Sequence, residues 1–227
     1  MASDFVYASL AECKGRVNLQ GAGDDVWLTA LLISASRAID NFCNRPDGFR
    51  ALGTATARRY AGSGKSWQEI DECMQVTLVE VKESGPSDDT WTAWESTDWL
   101  AFCGDVERPD FNRTPYIYLM VDPTGSESHF PSGRYGTLRG FRPDPDRGSY
   151  ATPTIRVTAR WGYADDTPGP VKEATIEQAA RWYKRGQSAW ADTVGSAETG
   201  VLAYRQAVDP DIAFMLKMGR LVRPSVG

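Results

Sequence analysis

The stretch from Thr154 to Arg185, TIRVTARWGYADDTPGPVKEATIEQAARWYKR, decides how the chain is read. Ile155, Val157 and Ala159 alternate with Arg156, Thr158 and Arg160. That is the period of a half-buried strand, expected over Thr154–Trp161. Gly162, Asp165, Asp166, Pro168, Gly169 and Pro170 then break the chain. Pro170 suits a first helical position, where its missing N–H is not needed. Val171, Ala174, Thr175, Gln178, Ala179 and Trp182 follow at helical spacing, and Lys184 and Arg185 close the segment where cations favour the negative dipole end. A helix over Pro170–Arg185 follows, with Val171, Ala174 and Trp182 on the face that anchors it to another helix.

That other helix lies upstream. Tyr7 to Leu19 predicts a short helix, with Ser3 or Asp4 as candidate caps, ended by Gly21-Ala22-Gly23. Asp24 and Asp25 open a long helix with an apolar stripe of Leu28, Leu31, Leu32, Ala35, Ile39 and Phe42, stopped by Asn44-Arg45-Pro46. From about Thr54 to Trp161 the texture changes to short strands at Thr56–Tyr60, Met74–Val81, Thr90–Trp94, Trp99–Phe102, Tyr116–Val121 and Thr154–Trp161. Turns are expected at Gly62-Ser63-Gly64, at 85–89 and over 143–153. A Gly/Ser-rich loop over 186–200 then leads to Asp209-Pro210-Asp211, which caps a final helix with Ile212, Met215 and Leu216 on its apolar face. The organisation is a first helical part over 1–50, an inserted β-domain over 51–163 and a second helical part with a docking tail over 164–227. The fold class is α+β: a core of about four helices with an inserted antiparallel β-domain.

The same stretch resembles the head–tail connector (adaptor) proteins of tailed bacteriophages, of the siphophage neck type. The residues that carry the resemblance are Trp161-Gly162-Tyr163, then Pro168-Gly169-Pro170-Val171-Lys172-Glu173-Ala174, then Ala179-Ala180-Arg181-Trp182-Tyr183-Lys184-Arg185. The acidic turn before Leu31 to Asp40 and the Asp209-Pro210-Asp211 helix start look like the family as well. The likeness covers Tyr7–Arg45 and Ile155–Leu216, and is weaker across the β-domain, which compact all-helical members lack. It implies a virion structural protein with no catalytic residues, cofactor or metal. Such a protein forms a ring, dodecameric in the family, binds the portal protein and presents a docking surface for a stopper or tail terminator. Genomic DNA passes through the ring without sequence-specific binding. The place implied is the neck of the virion, after synthesis in the host cytoplasm. Interface candidates are Arg181, Lys184, Arg185, Asp209, Asp211, Phe214, Lys217, Arg220 and Arg223. The terminal segments are expected to dock, and removal of the chain from Val208 onward to spare folding more than docking. A stopper or tail-completion role is the nearest alternative.

Composition sets limits of its own. The chain has 227 residues, 41% hydrophobic and 24% charged, an ordinary globular balance. A net charge of −5 argues against a general nucleic-acid clamp, which needs a basic face, and suits a conduit that must not hold DNA. The N-terminus lacks the pattern of a signal peptide, and the apolar run Leu28–Ala35 is too short to span a membrane, so a cytosolic, membrane-free protein is expected. Cys13, Cys43, Cys73 and Cys103 share no flanking pattern and no zinc-knuckle spacing, so reduced and mostly buried thiols are expected.

Four chemical motifs compete with this structural reading. Gly62-Ser63-Gly64-Lys65-Ser66 resembles a phosphate loop, but the earlier glycine a Walker loop needs is Arg59, and a strand follows. A hairpin turn is the alternative. His129 beside Ser126, Ser128 and Ser132 lacks a nucleophile elbow. Asp144-Pro145-Asp146-Arg147-Gly148 fails the calcium-loop pattern at Ser149 and Ile155. Trp67, Trp91, Trp94 and Trp99 suggest a sugar-stacking platform and hence a carbohydrate-binding β-module, although the odd spacing of Trp91 and Trp94 places them on opposite faces of a regular strand.

Overall fold

The computed structural model describes residues 5–83, 89–105, 111, 113–133, 152–187 and 208–223. Most of each loop expected over 85–89, 143–153 and 186–200, the whole Asp144–Gly148 motif, and the proposed caps Ser3 and Asp4 lie outside these residues. The chain divides into two compact units, Met1–Arg50 with Asp166–Gly227, and Ala51–Asp165. Among the described residues the first holds four helices and the second a six-stranded antiparallel sheet, so the protein is mixed α+β.

In the helical unit, α1 runs Leu10–Val17, α2 Asp25–Phe42, α3 Gly169–Gln187 and α4 Pro210–Met218. The first expected helix start is corrected by its cap. Ser9 Oγ accepts from the Glu12 N–H at 3.3 Å and the Glu12 carboxylate accepts from the Ser9 N–H at 2.9 Å, a reciprocal capping box. Tyr7 therefore precedes α1. Its O–H donates to Asp40 Oδ1 at 2.6 Å, its N–H to Ser36 Oγ at 3.3 Å, and its phenol oxygen accepts from the Phe49 N–H at 2.8 Å. Helix α3 packs against α1, α2 and α4. Because it is covered on more than one side, Ile176, Ala180 and Tyr183 are buried along with Val171, Ala174 and Ala179.

The aromatic anchor of the α2–α3 seam is also corrected. Tyr183 is buried with its ring 4.8 Å from that of Trp27, and its O–H donates to Asp24 Oδ2 at 2.6 Å, whereas Trp182 is only partly buried at the edge of the same cluster. Three ion pairs join helices distant in sequence: Arg16 of α1 bonds to Glu173 and Glu177 of α3, and Lys172 of α3 bonds to Glu12 of α1.

In the β unit, β1 is Thr56–Tyr60, β2 Trp67–Val81, β3 Thr92–Ala93, β4 Trp99–Phe102, β5 Tyr116–Val121 and β6 Ile155–Trp161. The strand order is β1-β6-β2-β5-β4, with β3 also on β2. Strand β6 alternates buried and half-buried residues along its whole length, as its sequence predicts. Strand β2 is about twice as long as expected, because register shifts between Glu69 and Cys73, Cys73 and Gln75, and Val76 and Leu78 change which parity faces the core. Gln68 and Ile70 are buried at even positions, Cys73, Val79 and Val81 at odd ones. The expected strand Thr90–Trp94 shrinks to Thr92–Ala93, with the Trp94 N–H donating to Val79 O at 2.9 Å.

The core of this unit gathers Ile70, Val79, Leu119, Phe130, Ile155, Val157 and Trp161. The Trp161 indole N–H donates to Thr56 O at 2.7 Å. Gly162, next in the motif, sits at φ 135, a conformation that side chains oppose, and its N–H donates to Glu72 O at 2.8 Å. This positive φ gives the Trp-Gly-Tyr sequence a backbone reason as well as a packing one. The described cysteines are free thiols: Cys13, Cys43 and Cys73 are buried and Cys103 is half-buried.

Candidate docking surface on the helical unit

The nine interface candidates separate into those that build α4's seat and those that α4 presents to solvent. Asp209 is the α4 cap: it accepts from the Asp211 N–H at 3.0 Å, and its carboxylate also pairs with Arg181 of α3. Arg181 thus ties two helices together and is not an available cation. Arg185 is half-buried, whereas Lys184 is exposed. On α4, Ile212 and Leu216 are buried, while Phe214 and Met218, one turn apart on another face, are 64% and 68% exposed. Asp211, Lys217 and Arg220 are exposed beside them. The result is a small apolar face with charged neighbours.

The segment after α4, through Arg223, is sewn back into the unit. Arg220 takes a left-handed φ of 53 just past α4, which turns the chain so that the Leu221 N–H donates to Leu216 O at 3.0 Å and Leu221 is buried. Arg45 Nε donates to Leu221 O at 2.8 Å, and the Arg223 N–H donates to Cys43 O at 3.0 Å. Removal from Val208 onward would therefore uncover buried apolar surface and take away the Leu221 carbonyl that Arg45 bonds, so a cost in stability accompanies any loss of docking.

Arg45 and Asp40 are the groups the sequence reading missed. Asp40 is buried beneath Tyr7, with the Arg37 guanidinium 3.2 Å from its Oδ2. Burial outweighs both partners and pushes its carboxyl up to about 6. The available signal was a charged residue inside an apolar helical stripe, Asp40 one place after Ile39. By contrast, the Lys172 ammonium and the Ser9 groups hold the Glu12 carboxyl down to about 2.

The rival motifs find bland settings. In the loop over 62–66, the Gly62 N–H donates to Thr154 Oγ1 at 3.0 Å, the Ser63 N–H to Gln68 Oε1 at 2.8 Å and the Lys65 N–H to Ser63 Oγ at 3.2 Å. These amides are spent inside the protein rather than gathered around a phosphate. A Cβ on Gly62 would lie 1.7 Å from Pro131 O, so close packing requires the glycine. Nor is the loop a hairpin turn: β1 and β2 do not pair, because β6 lies between them.

The four tryptophans have separate surroundings. Trp94 stacks on Phe130 in the core at 4.9 Å, Trp99 borders the core, Trp67 lies at the surface against Tyr118 at 5.8 Å, and Trp91 meets three cations. His129 is exposed, with Ser128 Oγ 2.8 Å from its Nδ1. Among the described residues no group of three His, Cys, Asp or Glu is placed to hold a metal ion. No helix among them is long and apolar enough to cross a membrane.

No protein-family model matches the chain, and no curated protein matches it at a significant level.

Proposed function

We propose that this chain is a structural protein of a tailed-phage neck: a head–tail connector ring that binds the portal and receives the next neck or tail protein. The observation that carries the reading is the α4 face, where Phe214 and Met218 stand exposed on a helix whose other side is locked into the unit. Exposed apolar side chains on a rigid support suit a permanent partner better than solvent. The sequence resemblance supplies the identity of that partner, the portal, and of the assembly, a dodecameric ring of copies of this chain. The motif that carries the resemblance includes five packing positions, Trp161, Val171, Ala174, Ala179 and Tyr183, all buried. The net charge of −5 suits a conduit through which DNA must slide.

Negative-stain microscopy of the purified chain mixed with portal rings tests the proposal. The expected image is a second ring of density seated on the portal. Portal rings that stay bare at micromolar excess of the chain would contradict it.

A further inference from the structure

The C-terminal end of α4 carries two cations that the helix itself does not use. Lysine and arginine side chains near a helix C-terminus often bond its last carbonyls. Here the backbone takes that role. The Gly219 N–H donates to Met215 O at 3.0 Å, the Leu221 N–H to Leu216 O at 3.0 Å and the Arg220 N–H to Lys217 O at 2.9 Å. Lys217 and Arg220 are exposed, and their side chains make no ion pair or hydrogen bond among the described residues. Asp211, the acid of this helix, stands at its opposite end. Lys217 lies three residues after Phe214 and one before Met218, so it borders the exposed apolar pair on the helix surface. The support is fixed. Ile212 and Leu216 are buried beneath α4, and Leu221, next after Arg220, is buried with its carbonyl held by Arg45 Nε. The surface is thus ordered beforehand, apolar in the middle and cationic at one end, on a chain of net charge −5.

We propose that this face takes an acidic amphipathic helix of a protein partner, whose apolar side chains cover Phe214 and Met218 and whose carboxylates meet Lys217 and Arg220. The inference rests on the reading of α4 as the docking face and adds the chemistry of the segment that the face receives. A helix running antiparallel to α4 lays its N-terminal turn over Lys217 and Arg220, and the first turn is where a helix favours carboxylates. The Arg220 guanidinium can hold a carboxylate through two parallel N–H bonds. Met218, unbranched and polarizable, adapts to the shape of an apolar partner. Opposite charge at the rim of an apolar contact also speeds encounter and fixes which way round the partner binds. A nucleic-acid strand fits less well. It has no apolar ridge to cover Phe214 and Met218, and two cations release few counterions.

The test titrates the full chain into two fluorescently labelled helical peptides and follows anisotropy. Both peptides carry one leucine ridge at helical spacing; one has glutamates on its flanks and the other lysines. At low salt the glutamate peptide is expected to bind at least about tenfold more tightly, and the preference should fade near about 1 M salt, where exposed charges are screened. Lys217→Glu with Arg220→Glu should abolish or reverse the preference, whereas Phe214→Asp should weaken both peptides. These side chains are exposed, and circular dichroism checks that the variants fold. Should the double reversal not fold, Lys217→Ala with Arg220→Ala carries the same comparison. Equal affinity for the two peptides, no binding of the glutamate peptide by the unaltered chain, or an unchanged preference in the folded double variant would each overturn the proposal. So would tighter binding to phosphatidylserine vesicles, or self-association of the chain that Phe214→Asp removes. Portal rings separate this inference from the portal reading. A double variant that joins the rings as well as the unaltered chain does contradicts the acidic segment and leaves the portal reading standing. Rings that stay bare, beside a selective glutamate peptide, contradict the portal reading and leave the acidic segment standing.

Discussion

The two units of this protein solve the same problem with different means. The β unit is one continuous stretch, Ala51–Asp165, and its described part closes by strand ladders over a core of aliphatic and aromatic side chains. The helical unit is assembled from two stretches separated by that whole insertion. Its two stretches meet in an apolar seam of Leu28, Leu32, Ala35, Ile176 and Ala179, to which individual polar links are added: Tyr183 to Asp24, Arg16 to Glu173 and Glu177, Lys172 to Glu12 and Arg45 to Leu221 O. A ladder spreads its free energy over many equivalent bonds. The helical unit rests on its apolar seam and adds unequal links: the exposed pairs Arg16–Glu173 and Lys172–Glu12 contribute little, whereas the buried Tyr183 and Arg45 are costly to strip of their partners. The helical unit is also the one that presents Phe214 and Met218, on a helix held by the buried Ile212 and Leu216 and by the Arg181–Asp209 pair.

The largest effects should come from the aromatic anchors, and they should separate the units. Trp161→Ala removes a fully buried indole and its bond to Thr56 O, and is expected to cost about 3–5 kcal/mol. Hydrogen exchange should show the lost protection concentrated in 51–165. Tyr183→Ala should cost a similar amount, about 3–5 kcal/mol, with the loss concentrated in the helices, and should exceed Trp182→Ala clearly. Equal losses at 182 and 183 in denaturant unfolding would show the seam to be wrongly drawn.

Acid sharpens the comparison. The Asp40 carboxyl is raised from 3.8 to about 6, so the folded chain binds its proton more tightly than the unfolded chain. The contribution is fully present below about pH 3.8 and is lost as pH rises through about 6. Its size is on the order of 3 kcal/mol. Asp40→Asn should therefore flatten this part of the pH dependence, and the stability of the unaltered chain relative to the variant should rise as pH falls from 7 to about 4. Glu12 works in the opposite sense. Its lowered carboxyl supports the fold above its ordinary value of 4.5 and loses that support as pH falls toward about 2. A melting series across pH on both proteins checks the crossing.

A smaller effect is expected at the α4 cap. Asp209→Ala removes both the bond from the Asp211 N–H and the pairing with Arg181, at roughly 1–2 kcal/mol. An Asp209→Asn variant keeps the cap and loses the charge, and should recover more than half of that loss in thermal melting.

What the sequence made legible was local. The alternation of β6, the Pro170 helix start, the Asp209 cap and the α2 stripe are all read within one element, and each stands where its pattern placed it. The length of β2 was hidden because bulges reverse its parity, so no single alternation runs through Trp67–Val81. The insertion of β6 between β1 and β2 was hidden because the strand that separates them arrives far downstream. Trp182 and Tyr183 sit one position apart, and only the coverage of α3 from several sides decides which ring is buried. Ser9 and Glu12 stand at capping-box spacing, so that helix start was readable from the sequence, although Ser3 and Asp4 are the caps the upstream pattern suggests. Within the candidate surface, sequence pattern found α4 and its exposed Phe214, but could not show that Arg181 and Asp209 spend their charges on each other.

The measurement that bears most directly on the docking assignment compares the unaltered chain with a Phe214→Asp, Met218→Asp double variant in co-sedimentation with portal rings. Both side chains are exposed, so the variant should keep the melting temperature of the unaltered chain. The folded variant is expected to stay in the supernatant while the unaltered chain pellets with the portal. A folded variant that pellets with undiminished stoichiometry would contradict the assignment of the α4 face.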